Sequence, residues 1–152
     1  ASPQYQNDLA ARAEALGVAD DVGFTGKLSG PQLLKPFFKN AKLLVMFSRW
    51  ESFCVPIVEA MGFGVPAVTT ERTCVPEIMG GTGIVGDRSE IETMTGQVLE
   101  LLEDRGKYEE KRRLCLERAP QFTEAAMAQR LYEIETGFIL PGVEEKRGRV
   151  AV

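Results

Sequence analysis

Apolar and polar residues alternate along this chain in short blocks of two kinds. One kind follows helical spacing. Leu9, Ala13 and Leu16 share a face between a Ser2-Pro3 start signal and a Gly17 stop. Leu33, Leu34, Phe37 and Phe38 follow Ser29 and Gln32, which have the spacing of a capping box. The other kind is the short apolar run. Val22–Thr25 reads as a strand closed by Gly26, and Leu43–Phe47 as a strand buried on both faces of a parallel sheet. A polar loop over residues 48–52 leads to a helix opening at Pro56 and ended by Gly64 and Pro66. Strands are predicted at 67–69 and 84–85, then helices over 90–104 (capped by Ser89 with Glu92), 107–119 and 123–138. Short apolar strands alternating with helices predict an α/β chain with a parallel, Rossmann-like sheet and flanking helices.

The 152 residues suffice for one small core. Residues 1–140 read as one domain and 141–152, rich in Glu, Lys and Arg, as a flexible charged tail. A net charge of −4 gives no reason to expect a nucleic-acid partner. No apolar run spans a bilayer and no signal peptide opens the chain, so any membrane attachment would be peripheral, through the basic tail. Three widely spaced cysteines without a CxxC point to a reducing, cytoplasmic setting. The chain has no histidine, which excludes histidine-based triads, Cys-His pairs and HExxH zinc sites.

Gly81-Thr82-Gly83-Ile84-Val85-Gly86 spells GxGxxG. The dinucleotide mechanism needs those glycines between a strand and a helix N-terminus. Here the strand residues fall inside the motif and the helix begins only after Ser89, so a glycine-rich turn is the expectation.

The chemistry gathers between Leu43 and Thr70. The loop after the 43–47 strand delivers Ser48, Arg49, Trp50 and Glu51 to the carboxyl edge of the sheet, where open α/β sheets bind ligands. The next helix aims its N-terminus at the same crevice, offering N–H groups near Cys54, Val55, Ile57 and Val58 to an anion. Glu51 and Glu59, with seven residues between them, can accept hydrogen bonds from sugar hydroxyls. An anion site flanked by two hydroxyl acceptors suits a sugar joined to a diphosphate.

The segment FSRWESFCVPIVEAMGFGVPAV, with Val22-Gly23-Phe24-Thr25-Gly26 upstream and Val75-Pro76-Glu77-Ile78 downstream, resembles the C-terminal donor-binding domain of retaining GT-B glycosyltransferases, the glycosyl transferases group 1. The resemblance covers roughly residues 5–135. It implies a hexose transfer from a nucleoside-diphosphate sugar, with no cofactor and no metal. Glu51 would be the catalytic carboxylate facing the transferred sugar, and the backbone of Phe53, Cys54 and Val55 would lie against sugar and diphosphate. Glu59 would hold the ribose, and the Gly26-Lys27-Leu28 loop would border the base. The partners implied are a nucleotide-sugar donor and an N-terminal acceptor-binding domain or chain. The alternative is a non-catalytic nucleotide-sugar-binding or assembly module.

Two departures from the family pattern stand out. Cys54 replaces the usual glycine, so a left-handed backbone there would cost ~1–2 kcal/mol and the side chain would narrow the approach to the sugar. The family's domain also opens with two strands that this sequence lacks. In the 3-2-1-4-5-6 order their absence leaves ~14 Å between Val22–Thr25 and Leu43–Phe47. The expectation is therefore a part of a longer or split enzyme, inactive alone, with Val22–Thr25 either unpaired with Leu43–Phe47 or collapsed onto it in a pairing foreign to the family.

Overall fold

A computed structural model describes residues 2–28 and 30–137, without the side chains of residues 31–33. The charged tail at 141–152, Phe138 and the Ser29 cap lie outside the described residues. The described residues divide into two compact units, with the boundary between Asn40 and Ala41.

The first unit contains α1 (Pro3–Ala15) and α2 (Pro31–Asn40). The Ser2 hydroxyl accepts from the N–H of Tyr5, and Pro3 fills the first turn, where a missing N–H costs nothing. Gly17, at φ +70°, ends the helix in the left-handed conformation, its N–H donating to Glu14 O. The strand expected over Val22–Thr25 does not form: no ladder reaches it, and Val22 and Phe24 are 40% and 41% exposed. Extended backbone becomes a strand only through bonds to a neighbour, and the sheet of the described residues lies wholly within 44–86.

The second unit holds that sheet: β1 (Leu44–Met46), β2 (Ala67–Thr70) and β3 (Ile84–Gly86), all parallel, in the order β1-β2-β3. Val45 pairs with Val68, and Val68 with Ile84. All four residues of the central strand are buried, as its run of small and β-branched side chains requires. Helix α3 (Val55–Gly62) connects β1 to β2, and a five-residue helix absent from the sequence reading, α4 (Val75–Met79), connects β2 to β3. Helices α5 (Ile91–Glu103), α6 (Arg105–Arg118) and α7 (Glu124–Gly137) follow. The core is built from Ile57 and Met61 of α3, Ala67 of β2, Val75, Ile78 and Met79 of α4, and Cys115 of α6. None of these helices is long and apolar enough to cross a membrane.

One expectation about local structure is corrected, and one cap is added. The cap ahead of α5 is Asp87 rather than Ser89: the Ser89 N–H and hydroxyl both donate to the Asp87 carboxylate, and Glu90 completes a capping box around a single 3₁₀ turn. Asp104, unnoticed in sequence, caps α6 by accepting from the N–H groups of Gly106 and Lys107. The glycine-rich turn behaves as expected. A Cβ on Gly83 would lie 2.0 Å from the backbone oxygen of Ala67, and one on Gly86 would meet Met94 at 3.0 Å. Those glycines permit close packing of β3 against its neighbours, and no helix opens on them.

Candidate functional site

Three loops leave the carboxyl ends of the three strands and form the rim of the site. The first, residues 47–54, is held at two carbonyls. Ser48 O accepts from the hydroxyl of Thr70, the last residue of β2, at 2.8 Å. Glu51 O accepts from the Thr73 hydroxyl at 2.5 Å, with the Cys74 thiol 3.9 Å away. The third loop reaches the second through an ion pair of 2.9 Å between Arg72 and Asp87. The Asp87 carboxyl is held below its ordinary pKa chiefly by the Ser89 N–H and hydroxyl, with the Arg72 charge adding to it.

The turn into α3 is left-handed. Cys54 is its N-cap, with φ 58° and ψ 57°. A Cβ strains this conformation, so the strain foreseen for a non-glycine residue is present. The expected obstruction of the crevice is not. The Cys54 side chain is 4% exposed, packs in the core and lies 4.0 Å from the sulfur of Met46. Burial raises the thiol's pKa, with the nearby Glu51 charge acting in the same direction, so Cys54 is a neutral core residue.

This geometry also corrects the inventory of free donors. The Ile57 N–H is satisfied by Cys54 O at 3.0 Å. Pro56 has none, so Cys54 and Val55 supply the N–H groups of this turn that lack a protein partner among the described residues. They stand at the positive end of the α3 dipole.

Glu51 is half-buried and Glu59 exposed, and neither carboxylate has a hydrogen bond or ion pair among the described residues. Ile57, Ala60 and Met61 turn α3's apolar face to the core, leaving Val55 and Glu59 on the outer face one turn apart. Helical side chains tilt toward the N-terminus, so Glu59 leans back over Val55 and the unbonded N–H groups. Phe53 meets Phe122 edge-to-face with ring centroids 6.0 Å apart. Phe122 in turn carries the Arg118 guanidinium, 5.6 Å from its centroid.

Glu51, Phe53, Cys54, Val55 and Glu59 thus all belong to the second unit, on one loop and the helix it enters. Gly26, Lys27 and Leu28 belong to the first, where Gly26 takes φ +66° and, with Lys27, Tyr5, Leu9 and Phe24, lines an open cavity of about 490 Å³. Sequence reasoning missed Thr70 and Thr73, whose hydroxyls fix the loop. Their position at and just after the carboxyl end of the buried strand β2 was the available signal. Among the described residues no group of three or more His, Cys, Asp or Glu side chains is arranged to hold a metal ion.

Comparison with known proteins places this geometry in context. The family described as Glycosyl transferases group 1 matches residues 2–122. The chain is 35% identical over 86 residues to O-antigen chain mannosyltransferase B of Escherichia coli, covering 57% of this chain and 23% of that protein. It is 27% identical over 105 residues to the lipopolysaccharide core biosynthesis mannosyltransferase LpsB of Rhizobium meliloti, covering 66% and 29%. The chain therefore spans less than a third of either relative. Among solved structures, sucrose-phosphate synthase from Thermosynechococcus elongatus superposes with a TM-score of 0.75 at 18% identity, over 90% of this chain and 36% of that one. The parallel sheet with its flanking helices is the Rossmann-like arrangement of the GT-B fold.

Proposed function

The chain belongs to the glycosyl transferases group 1, and we propose that it forms the donor-binding part of a retaining enzyme that transfers a hexose from a nucleoside-diphosphate sugar. The observation that carries this reading is the α3 turn. Two N–H groups at a helix N-terminus lie in the chain between Glu51 and Glu59, and among the described residues neither the N–H groups nor the two carboxylates have a hydrogen-bond partner. The N–H groups suit the diphosphate and the carboxylates suit hydroxyls.

In this reading Glu51 accepts hydrogen bonds from the hydroxyls of the transferred sugar, and Glu59 from the ribose. The N–H groups of Cys54 and Val55 take up the charge that develops on the leaving diphosphate. Retention follows from attack on the same face that the diphosphate leaves, with the acceptor hydroxyl giving its proton to a leaving phosphate oxygen. No step needs a histidine, a cofactor or a metal ligand from this chain. Gly26, Lys27 and Leu28 border the base, and an N-terminal domain or chain contributes to binding the acceptor. The names of the two mannosyltransferase relatives favour mannose as the hexose. Three free cysteines favour a reducing, cytoplasmic setting.

Calorimetric titration of GDP, UDP and GDP-mannose into the chain tests the reading. Saturable binding of a nucleoside diphosphate, unchanged by EDTA, is expected. The absence of binding to all three would remove the donor role.

A further inference from the structure

Trp50, the one tryptophan in the chain, stands 79% exposed four residues beyond the end of β1. Indole rings are mostly buried on average, because leaving their faces in water forfeits a large apolar contribution. The loop that presents this ring is anchored on both sides: Ser48 O by Thr70 and Glu51 O by Thr73. The backbone that carries the indole is thus held, beside Glu51, at the carboxyl edge of the sheet. Arg49 beside it is exposed and has no partner among the described residues, leaving five N–H donors unused.

We propose that Trp50 is a stacking platform for a pyranose ring of the acceptor saccharide, with Arg49 donating to that ring's hydroxyls. A pyranose presents a face of C–H groups and a rim of hydroxyls. The C–H face lies on the electron-rich face of an indole, and the rim is left for polar donors. Assigning this ring to the acceptor rests on the donor reading above. Half-buried Glu51 and the α3 N-terminus take the donor at the floor, and a second sugar arriving from solvent meets the exposed indole first.

Because the chain has a single tryptophan, its emission reports on Trp50 alone. Mannobiose, maltose and cellobiose are titrated separately into the chain, with and without GDP, and GDP-mannose is titrated in parallel. At least one disaccharide should produce a saturable blue shift and protect the emission from acrylamide. Saturation-transfer NMR on that sugar should show affinity falling about tenfold in Trp50→Ala and largely kept in Trp50→Phe, with GDP-mannose affinity unchanged in both. Flat emission with all three disaccharides overturns the proposal, and a response to GDP-mannose alone overturns the acceptor assignment. A disaccharide response without nucleotide binding keeps the sugar platform but overturns the donor reading, and the acceptor assignment with it.

Discussion

The hydroxyl of Thr73 lies 2.5 Å from the backbone carbonyl oxygen of Glu51, and Thr73 makes this bond from a left-handed backbone at φ 53°. A β-branched residue rarely occupies that region, so the conformation persists only where its surroundings hold it. Here the hold is the bond that positions the loop carrying Glu51. Thr73→Ala keeps most of the strain and loses the bond, and should cost about 0.5–1.5 kcal/mol. Thr73→Ser should keep the bond and most of the stability. Urea unfolding compares them, and equal stability of the two variants would show that the hydroxyl does not hold the loop.

Cys54 is the second strained residue, and its buried side chain sets two effects against each other. Replacing it with glycine relieves the left-handed strain but removes a packed sulfur beside Met46. Replacing it with alanine removes the sulfur and leaves the strain. Cys54→Gly should therefore be more stable than Cys54→Ala by about 1 kcal/mol. Thermal unfolding of the two variants decides it, and the reverse order would mean that φ 58° is not retained.

The two carboxylates should separate by ligand. Glu59→Gln should weaken GDP and GDP-mannose alike, by about tenfold, the loss of a charged hydrogen-bond acceptor. Glu51→Gln should leave GDP unaffected and weaken only the sugar-bearing nucleotide. Calorimetry on both variants is the measurement. Equal losses for both ligands in both variants would contradict the assignment of Glu51 to the sugar and Glu59 to the ribose.

How much of this was legible in the sequence depended on whether the signal was local. The β1 run, the proline in the first turn of α3 and the pair of glutamates each sit on one short segment, and a period or a spacing shows them. Val22–Thr25 has the composition of a strand but lacks a ladder partner among the described residues, and pairing is not a property of the segment that pairs. Helix α4 is five residues long, too short for a period to emerge. The Cys54 side chain enters the core from a left-handed N-cap, a direction that composition cannot reveal. The loop anchors at Thr70 and Thr73 each bond a residue 22 positions away, beyond any local pattern.

Cys115 gives the chain a pH dependence on its alkaline side. It is fully buried in α6, its thiol 3.4 Å from Thr82 O, and burial pushes its pKa up from 9.0 to about 11. Between those values the folded chain keeps a proton that the unfolded chain has released, so rising pH favours unfolding. This contribution is fully present below about pH 9 and is lost toward pH 11. Urea midpoints measured from pH 8 to 10.5 should fall more steeply for the parent chain than for Cys115→Ala, which is less stable at every pH but lacks this slope. Parallel curves would place the alkaline loss elsewhere.

Arg118 joins the end of α6 to the segment behind the candidate site. Its Nε donates to Ile78 O at 2.7 Å, a second nitrogen donates to Glu77 O, and its guanidinium carbon lies 5.6 Å from the centroid of Phe122, the ring that packs on Phe53. The carbonyls it serves are among the last of α4, which would otherwise lack partners. Gly80 makes room for the arginine: it sits at φ +50°, and a Cβ there would fall 2.3 Å from the guanidinium carbon. Arg118→Lys loses the planar fork and the stacking, so it should destabilise by about 1–2 kcal/mol despite keeping the charge. Gly80→Ala should cost a similar amount, by displacing the same guanidinium and by strain. Since both changes break one contact, the double variant should fall short of their sum by about 1 kcal/mol, as urea unfolding of the four chains would show. Strict additivity would mean that Gly80 is required only for its backbone angle.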